Sequence, residues 1–182
     1  MSRIDLVTQD NASADQKALL DAIQGQLGKV PNFLAAMAHS PEALTAFLGL
    51  HGIASSGSLD PQTRERIALV VAQGNSCEYC VSAHTALGRK AGLNGAEMEA
   101  NRAGSSQDAK AAAAVAFAHA LNANTGEVTQ AEFDAVREAG YDNAEIVEII
   151  THVGMNILTN LIGKATRVDI DFPKVPLQAQ AA

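Results

Sequence analysis

The stretch Arg64-ERIALVVAQGNSCEYCVSAHTALGRKA-Gly92 decides how this chain is read. Gly74 is followed by Asn75-Ser76, so one helix ends there and another begins. In the reading from sequence, Cys77 falls in the first turn of the new helix. Cys80 comes three residues on and His84 four further, offsets that put all three side chains on one helical face. The segment therefore reads as a helix, a short turn and a second helix.

The same kind of punctuation continues in both directions. Ser13 with Gln16, Asn94 with Glu97, Thr129 with Glu132 and Asp142 with Glu145 have the form of a capping box or a close variant. Ser40-Pro41 and Asp60-Pro61 set an N-cap residue before a Pro at the first helical position. Gly92 and Gly140 stand where C-terminal caps belong. Ala, the best helix former, is the dominant residue, and period-two β-branched runs are hard to find. The chain thus divides into about eight helices, over the spans 13–27, 32–38, 41–55, 61–73, 76–91, 95–102, 107–122, 130–138 and 143–163. In the last span Ile146, Ile149, Ile150, Val153, Ile157 and Leu161 recur at three and four, which predicts one buried face. The tail 168–182 reads as extended, with mobile last residues. No composition shift marks a boundary, so 1–182 is expected to be one all-α domain with a candidate redox motif over 65–84.

Composition excludes several function classes. The 182 residues are 47% hydrophobic and 18% charged, ordinary for a globular chain and too apolar for charge-driven disorder. A net charge of −7 argues against a nucleic-acid grip, and with aromatics at 4% no base-stacking platform is expected. No uninterrupted apolar run of ~18 residues predicts a membrane span. The N-terminus lacks an apolar signal core, so a cytoplasmic setting is expected.

Cys77 and Cys80 are the two cysteines. Where thiols are kept reduced, such a pair points to redox chemistry or metal binding rather than to a structural staple. A thiol at a helix start feels the positive end of the dipole, and the C-x-x-C arrangement itself favours thiolate. An imidazole at i+4 can take the proton from Cys80. One thiolate can attack a peroxide oxygen and become a sulfenic acid. The second can condense with it to a disulfide, which an external dithiol reduces by exchange. Plainer readings compete. The cysteines could be buried small hydrophobes, although Glu78-Tyr79 between them and the cap before them suggest a partly exposed helix start. With His84 they could supply three zinc ligands, but strong zinc signatures pair two such knuckles. Glu65 in RERIALV reads equally well as part of a solvated charged face. His119 reads as a packed helix residue, Phe47 and Met98 as core, and His51 and His152 as candidates to line a pocket. The stretch 111–121 reads as a buried or subunit-interface helix.

Glu65-x11-Cys77-x-x-Cys80-x-x-x-His84 resembles the signature of the AhpD-like alkylhydroperoxidases, within the carboxymuconolactone decarboxylase superfamily. The flanks resemble it too, in VPNFLAAMAHSPEAL (30–44), GYDNAEIVEII (140–150), the later Asn156 and Asn160, and DIDFP (169–173). The resemblance implies an all-α, single-domain helical bundle of the AhpD-like type. It implies that Cys80 is the peroxidatic and Cys77 the resolving cysteine, with His84 and Glu65 as a proton relay. It also implies a homo-oligomer (dimer, trimer or hexamer), an organic hydroperoxide as substrate and a dithiol electron donor such as a lipoyl or thioredoxin-like protein. No metal or bound organic cofactor is implied. Tyr79 departs from the pattern, because well-studied members carry a His just before the second Cys. With a reference pKa of about 10, a Tyr hydroxyl is a poor base near neutrality, so slower proton transfer or a different substrate is expected. A disulfide oxidoreductase or redox relay for protein thiols, and a decarboxylase-like enzyme of the superfamily, are the alternatives.

Overall fold

The computed structural model describes residues 2–179. Among them the chain forms nine helices and no strand, one for each of the nine expected spans and one more than the round figure of about eight. They are α1 (Ala14–Leu27), α2 (Asn32–Met37), α3 (Pro41–Ala54), α4 (Pro61–Gly74), α5 (Glu78–Lys90), α6 (Gly95–Arg102), α7 (Ala109–Ala123), α8 (Gln130–Glu138) and α9 (Asn143–Thr166). All nine expected spans are occupied, and α9 runs three residues past its expected end.

The caps explain the boundaries. Full capping boxes close at Ser13–Gln16, Thr129–Glu132 and Asp142–Glu145. At the fourth site Asn94 Oδ1 accepts the Glu97 N–H at 2.9 Å, but the Glu97 carboxylate is drawn into the interior by Arg66, Asn101 and Gln107. Asp60 accepts from the Thr63 N–H, one turn after Pro61 starts α4. Gly92, at φ +96°, lets the Leu93 N–H reach back to the Gly88 carbonyl and ends α5.

α4 is the central helix, packed against α5, α6, α7 and α9. Its residues from Arg66 to Gln73 are all buried, so it reads as apolar on every side. One core lies between α4, α7 and α9 around Ile67, Val70, Val71, Val115, Phe117, Ile149 and Val153. A second gathers Leu20, Phe33, Phe47, Tyr79, Val81 and both cysteines beneath α1, α2 and α3. The 111–121 stretch is buried within the chain against α4 and α9, while His119 is exposed rather than packed.

α9 departs from its expected face. Ile146, Ile149 and Val153 are buried, but Ile150 and Leu161 are exposed. Its buried side also carries His152, Asn156, Thr159 and Asn160. By length and composition α9 could cross a membrane. Here its inner face is packed on α3, α4, α5 and α7, as a core helix.

Beyond α9 the tail is non-helical and tied down. Arg102 Nη2 donates to the Pro176 carbonyl at 2.6 Å, and the Val175 N–H to Ser82 Oγ at 3.0 Å. Asp171 receives the Tyr79 hydroxyl and the Lys29 ammonium, at 2.8 and 3.1 Å. The mobile end expected for the tail falls at 180–182, outside the described residues.

Candidate active site

α4 and α5 form a hairpin through Asn75 and Ser76. Ser76 takes a left-handed φ of +54°, which turns the chain in two residues. Cys77 then sits at the N-cap of α5 rather than inside its first turn. Its Sγ accepts the Cys80 N–H at 3.4 Å, the place a Ser or Asp oxygen usually fills. Both thiols are free and buried, with Cys77 1% and Cys80 4% exposed. The helix start is exposed at Ser76 and Glu78, as expected, but Tyr79 turns inward and the cysteines themselves are buried.

The two sulfurs are unequal. The Cys80 thiol donates to Cys77, which pulls the Cys77 thiol below its ordinary value against the opposing effect of burial; the Cys80 N–H and the charges of His84 and Lys164 add to the pull. The same hydrogen bond and burial push Cys80 up, while Asn160 and Thr159 work in the other direction. The first proton is thus more easily lost from Cys77, and a thiolate there faces a Cys80 S–H.

On the next turn of α5, His84 Nδ1 lies 2.8 Å from Glu65 Oε2 on α4. Both side chains are about one-fifth exposed. With Nδ1–H donated to the carboxylate, the neutral ring presents Nε2 as an acceptor. The structure therefore brings Glu65, Cys77, Cys80 and His84 to one hairpin. Among the described residues no group of three or more His, Cys, Asp or Glu is placed to hold a metal ion, so the zinc reading finds no ligand set.

Tyr79 is no proton carrier in this geometry. Its hydroxyl donates to Asp171 and accepts the Phe33 N–H at 3.2 Å, and burial followed by the Asp171 carboxylate pushes its pKa up. It joins α2, α5 and the tail. His51 lies in the field of His84 and Glu65; burial first, then the charge of His84, lowers its pKa. His152 is buried, with Nε2 3.2 Å from the Ala54 carbonyl.

α9 closes the site from a distance of some eighty residues in sequence. A Cβ on Gly163 would stand 3.4 Å from Cys77 Sγ and 3.9 Å from Cys80 Sγ, so both sulfurs rest against the helix backbone there. An isolated Gly inside a helical pattern was the available signal for this approach. Two clefts open elsewhere, around Asp60, Lys110 and Tyr141 and around Gln62, Asn94 and Gln107; Glu65, Cys77, Cys80 and His84 line neither.

The stretch 41–123, from α3 to the end of α7, matches the carboxymuconolactone decarboxylase family and contains all four of these residues. Comparison with curated proteins finds no match. Solved structures resemble the whole chain. An uncharacterized peroxidase-related protein from Silicibacter sp. TM1040 is 27% identical, with a TM-score of 0.80 over 92% of this chain and 91% of that one. An uncharacterized peroxidase-related protein with an alkylhydroperoxidase AhpD core, from Ralstonia eutropha JMP134, is 24% identical, with a TM-score of 0.84 over 93% and 92%. A variant of the debrominase Bmp8, in complex with 2,3,4-tribromopyrrole, is 19% identical, with a TM-score of 0.79 over 94% of both chains; it shares the fold. The match of 41–123 to the carboxymuconolactone decarboxylase family and these all-helical likenesses agree: the α4–α5 hairpin lies in a segment similar to that family, and the chain as a whole shares the AhpD-like fold.

Proposed function

We propose that the protein is a thiol-dependent peroxidase acting on organic hydroperoxides through Cys77, Cys80, His84 and Glu65. The observation that carries the reading is one hairpin holding two free thiols, with Cys77 Sγ accepting the Cys80 N–H, beside a His84–Glu65 pair. His84 Nε2 takes the first proton, from Cys77, and the proton shared by the sulfurs then passes from Cys80 to Cys77. The Cys80 thiolate attacks the terminal peroxide oxygen; an S–O bond forms and the O–O bond breaks. Protonated His84, oriented by Glu65, gives its proton to the departing alkoxide, which leaves as an alcohol. Cys77 then attacks the Cys80 sulfenic acid, and an S–S bond forms as hydroxide leaves and is protonated to water. An external dithiol, such as a lipoyl or thioredoxin-like protein, returns two electrons and two protons by exchange.

Burial of both sulfurs favours a small hydroperoxide over a protein disulfide, because a second polypeptide cannot reach a sulfur without displacing the elements packed over it, α9 among them. The test is hydroperoxide turnover with a dithiol donor. Turnover that disappears in Cys80→Ser supports the reading. A wild type that turns over no peroxide, yet readily exchanges a Cys77–Cys80 disulfide with protein thiols, overturns it in favour of a redox relay.

The homo-oligomer implied by the resemblance is part of the same proposal. Val147, Ile150, Leu158 and Leu161 form an exposed apolar stripe on α9, with Gly154 between them, and Ile53 on α3 is 76% exposed beside it. A second copy of the chain is proposed to cover this face.

A further inference from the structure

Asn160 has two ends with different fates. Its Oδ1 accepts the Asn75 side-chain amide at 2.9 Å. Asn75 also donates to Asn122 Oδ1 at 2.9 Å, and its carbonyl accepts the Lys164 ammonium at 2.6 Å. That anchoring fixes which way the Asn160 amide points. The other end, Nδ2, has no hydrogen-bond partner although the residue is only 2% exposed. Buried donors are almost always paired, so this one calls for a ligand or a reacting group.

The neighbouring group is the redox pair. Asn160 stands one helical turn before Gly163, whose backbone the two sulfurs touch, and on the same face of α9. Its amide lies against Cys80 and favours the charged sulfur there. Thr159 is beside it, but the Thr159 hydroxyl proton is already given to the Asn156 carbonyl at 2.9 Å. Asn160 is thus the α9 side chain at the sulfur with a proton still to donate.

We propose that Asn160 is a further catalytic residue: its Nδ2–H, aimed by Asn75, donates to the negative charge on the Cys80 sulfur and on the oxygen that the sulfur takes from a peroxide. The thiolate half of this role stands on the reduced protein alone, whereas the oxygen half rests on the peroxidase reading above. No bond is made or broken at Asn160 and no proton leaves it. It supplies a fixed dipole where charge collects, beside sulfurs buried from water. Asn75 is a positioning residue, acting only through Asn160.

The experiment titrates Cys80 by thiolate absorbance in the reduced full-length protein. A Cys77→Ser background leaves one sulfur to read and needs no reagent to enter. The other titratable or charged groups facing the pair are His84 with Glu65 behind it, Tyr79 and Lys164. All are kept. Asn160→Asp preserves the bond from Asn75 and replaces the donor by an acceptor; Asn160→Ala removes both. The Cys80 midpoint is expected to rise by about one pH unit in Asn160→Ala and by more in Asn160→Asp, a thiolate fraction at least tenfold lower at fixed pH. Asn75→Ala is expected to move it in the same direction by less. In a Cys77-containing protein, Asn160→Asp lowers peroxide turnover by at least tenfold. An unchanged midpoint in folded Asn160→Asp overturns the proposal, whatever the turnover. A raised midpoint in a protein that reduces no peroxide upholds the thiolate role and sinks the peroxidase reading instead.

Discussion

Nδ1 of His84 and Oε2 of Glu65 meet at 2.8 Å across the α4–α5 hairpin, and neither side chain is sealed from solvent. The carboxylate fixes the ring and its tautomer and so sets the direction of Nε2. Under the peroxidase reading, His84→Ala removes the proton donor to the departing alkoxide and lowers turnover by roughly 10²-fold or more. Glu65→Gln keeps the shape and loses the charge that orients the ring, with an expected loss of about tenfold, typical of a supporting partner. Initial rates with a hydroperoxide and a dithiol donor decide it. A His84→Ala protein as fast as the wild type removes the relay from the mechanism.

The order of the two sulfurs is a separate question, because the more acidic thiol is Cys77 while the proposed attacker is Cys80. Trapping of sulfenic acid by a dimedone-type reagent, read by mass spectrometry, resolves it. Cys77→Ser is expected to accumulate sulfenic acid at Cys80, since no resolving thiol remains. Cys80→Ser is expected to form none. Sulfenic acid at Cys77 in Cys80→Ser, appearing at the wild-type rate, reverses the assignment.

Tyr79 exchanges the chemistry of a family histidine for structure. Tyr79→Phe leaves the Phe33 N–H without its partner and takes one donor from Asp171, which keeps Lys29 and the Asn32 N–H. The expected destabilisation is about 1–3 kcal/mol, the usual range when a buried donor loses its acceptor. Chemical denaturation would show it as a lower midpoint at unchanged slope. A midpoint equal to the wild type's would mean that the hydroxyl does not hold α2 and the tail together.

Much of this architecture was legible in the sequence because its signals are local. Asp60-Pro61 begins α4, Gly92 ends α5, and the offsets of Cys77, Cys80 and His84 need only one helix to be interpreted. The spacing from Glu65 became meaningful once the hairpin at Asn75-Ser76 brought the two helices side by side. What the sequence hid depends on distant elements. The burial of both thiols depends on α9, where Gly163 stands against the two sulfurs some eighty residues away. Cys77 was displaced from the first turn to the N-cap by the left-handed Ser76, a conformation that a Ser does not advertise. On α9 the apolar residues surround the helix, so periodicity gave no means of separating the buried Ile149 from the exposed Ile150.

Glu97 makes the fold sensitive to acid. Burial pushes its carboxyl up, but hydrogen bonds from the Ser106 hydroxyl, the Asn101 amide, the Gln107 N–H and the Arg66 guanidinium outweigh that and bring it down to about 2. Its ordinary value is 4.5. A carboxyl depressed on folding contributes stability above its unfolded value and loses it as the pH falls toward the folded one. The window is therefore about pH 4.5 down to 2, and the effect is on the order of 3 kcal/mol at most. Denaturation midpoints measured against pH should fall through that window in the wild type and much less in Glu97→Gln. Parallel curves for the two proteins would rule out Glu97 as the cause.

The exposed stripe of α9 carries the last prediction. Val147 is 61% and Leu161 63% exposed, one at each end of the stripe, and each is a large apolar side chain facing water. A chain of 18.9 kDa that leaves this face uncovered would carry an apolar band along most of its longest helix. Sedimentation at micromolar concentration is expected to give a mass at least twice that of one chain. Leu161→Lys or Val147→Lys places a charge in the contact, where desolvation is costly, and is expected to shift the mass toward one chain without loss of helical signal. Neither position touches the cysteines, so thiol reactivity in the variants separates an assembly effect from damage to the site. A wild type that sediments as a single chain rejects the second copy, and a lysine variant that keeps the oligomer places the interface on another face.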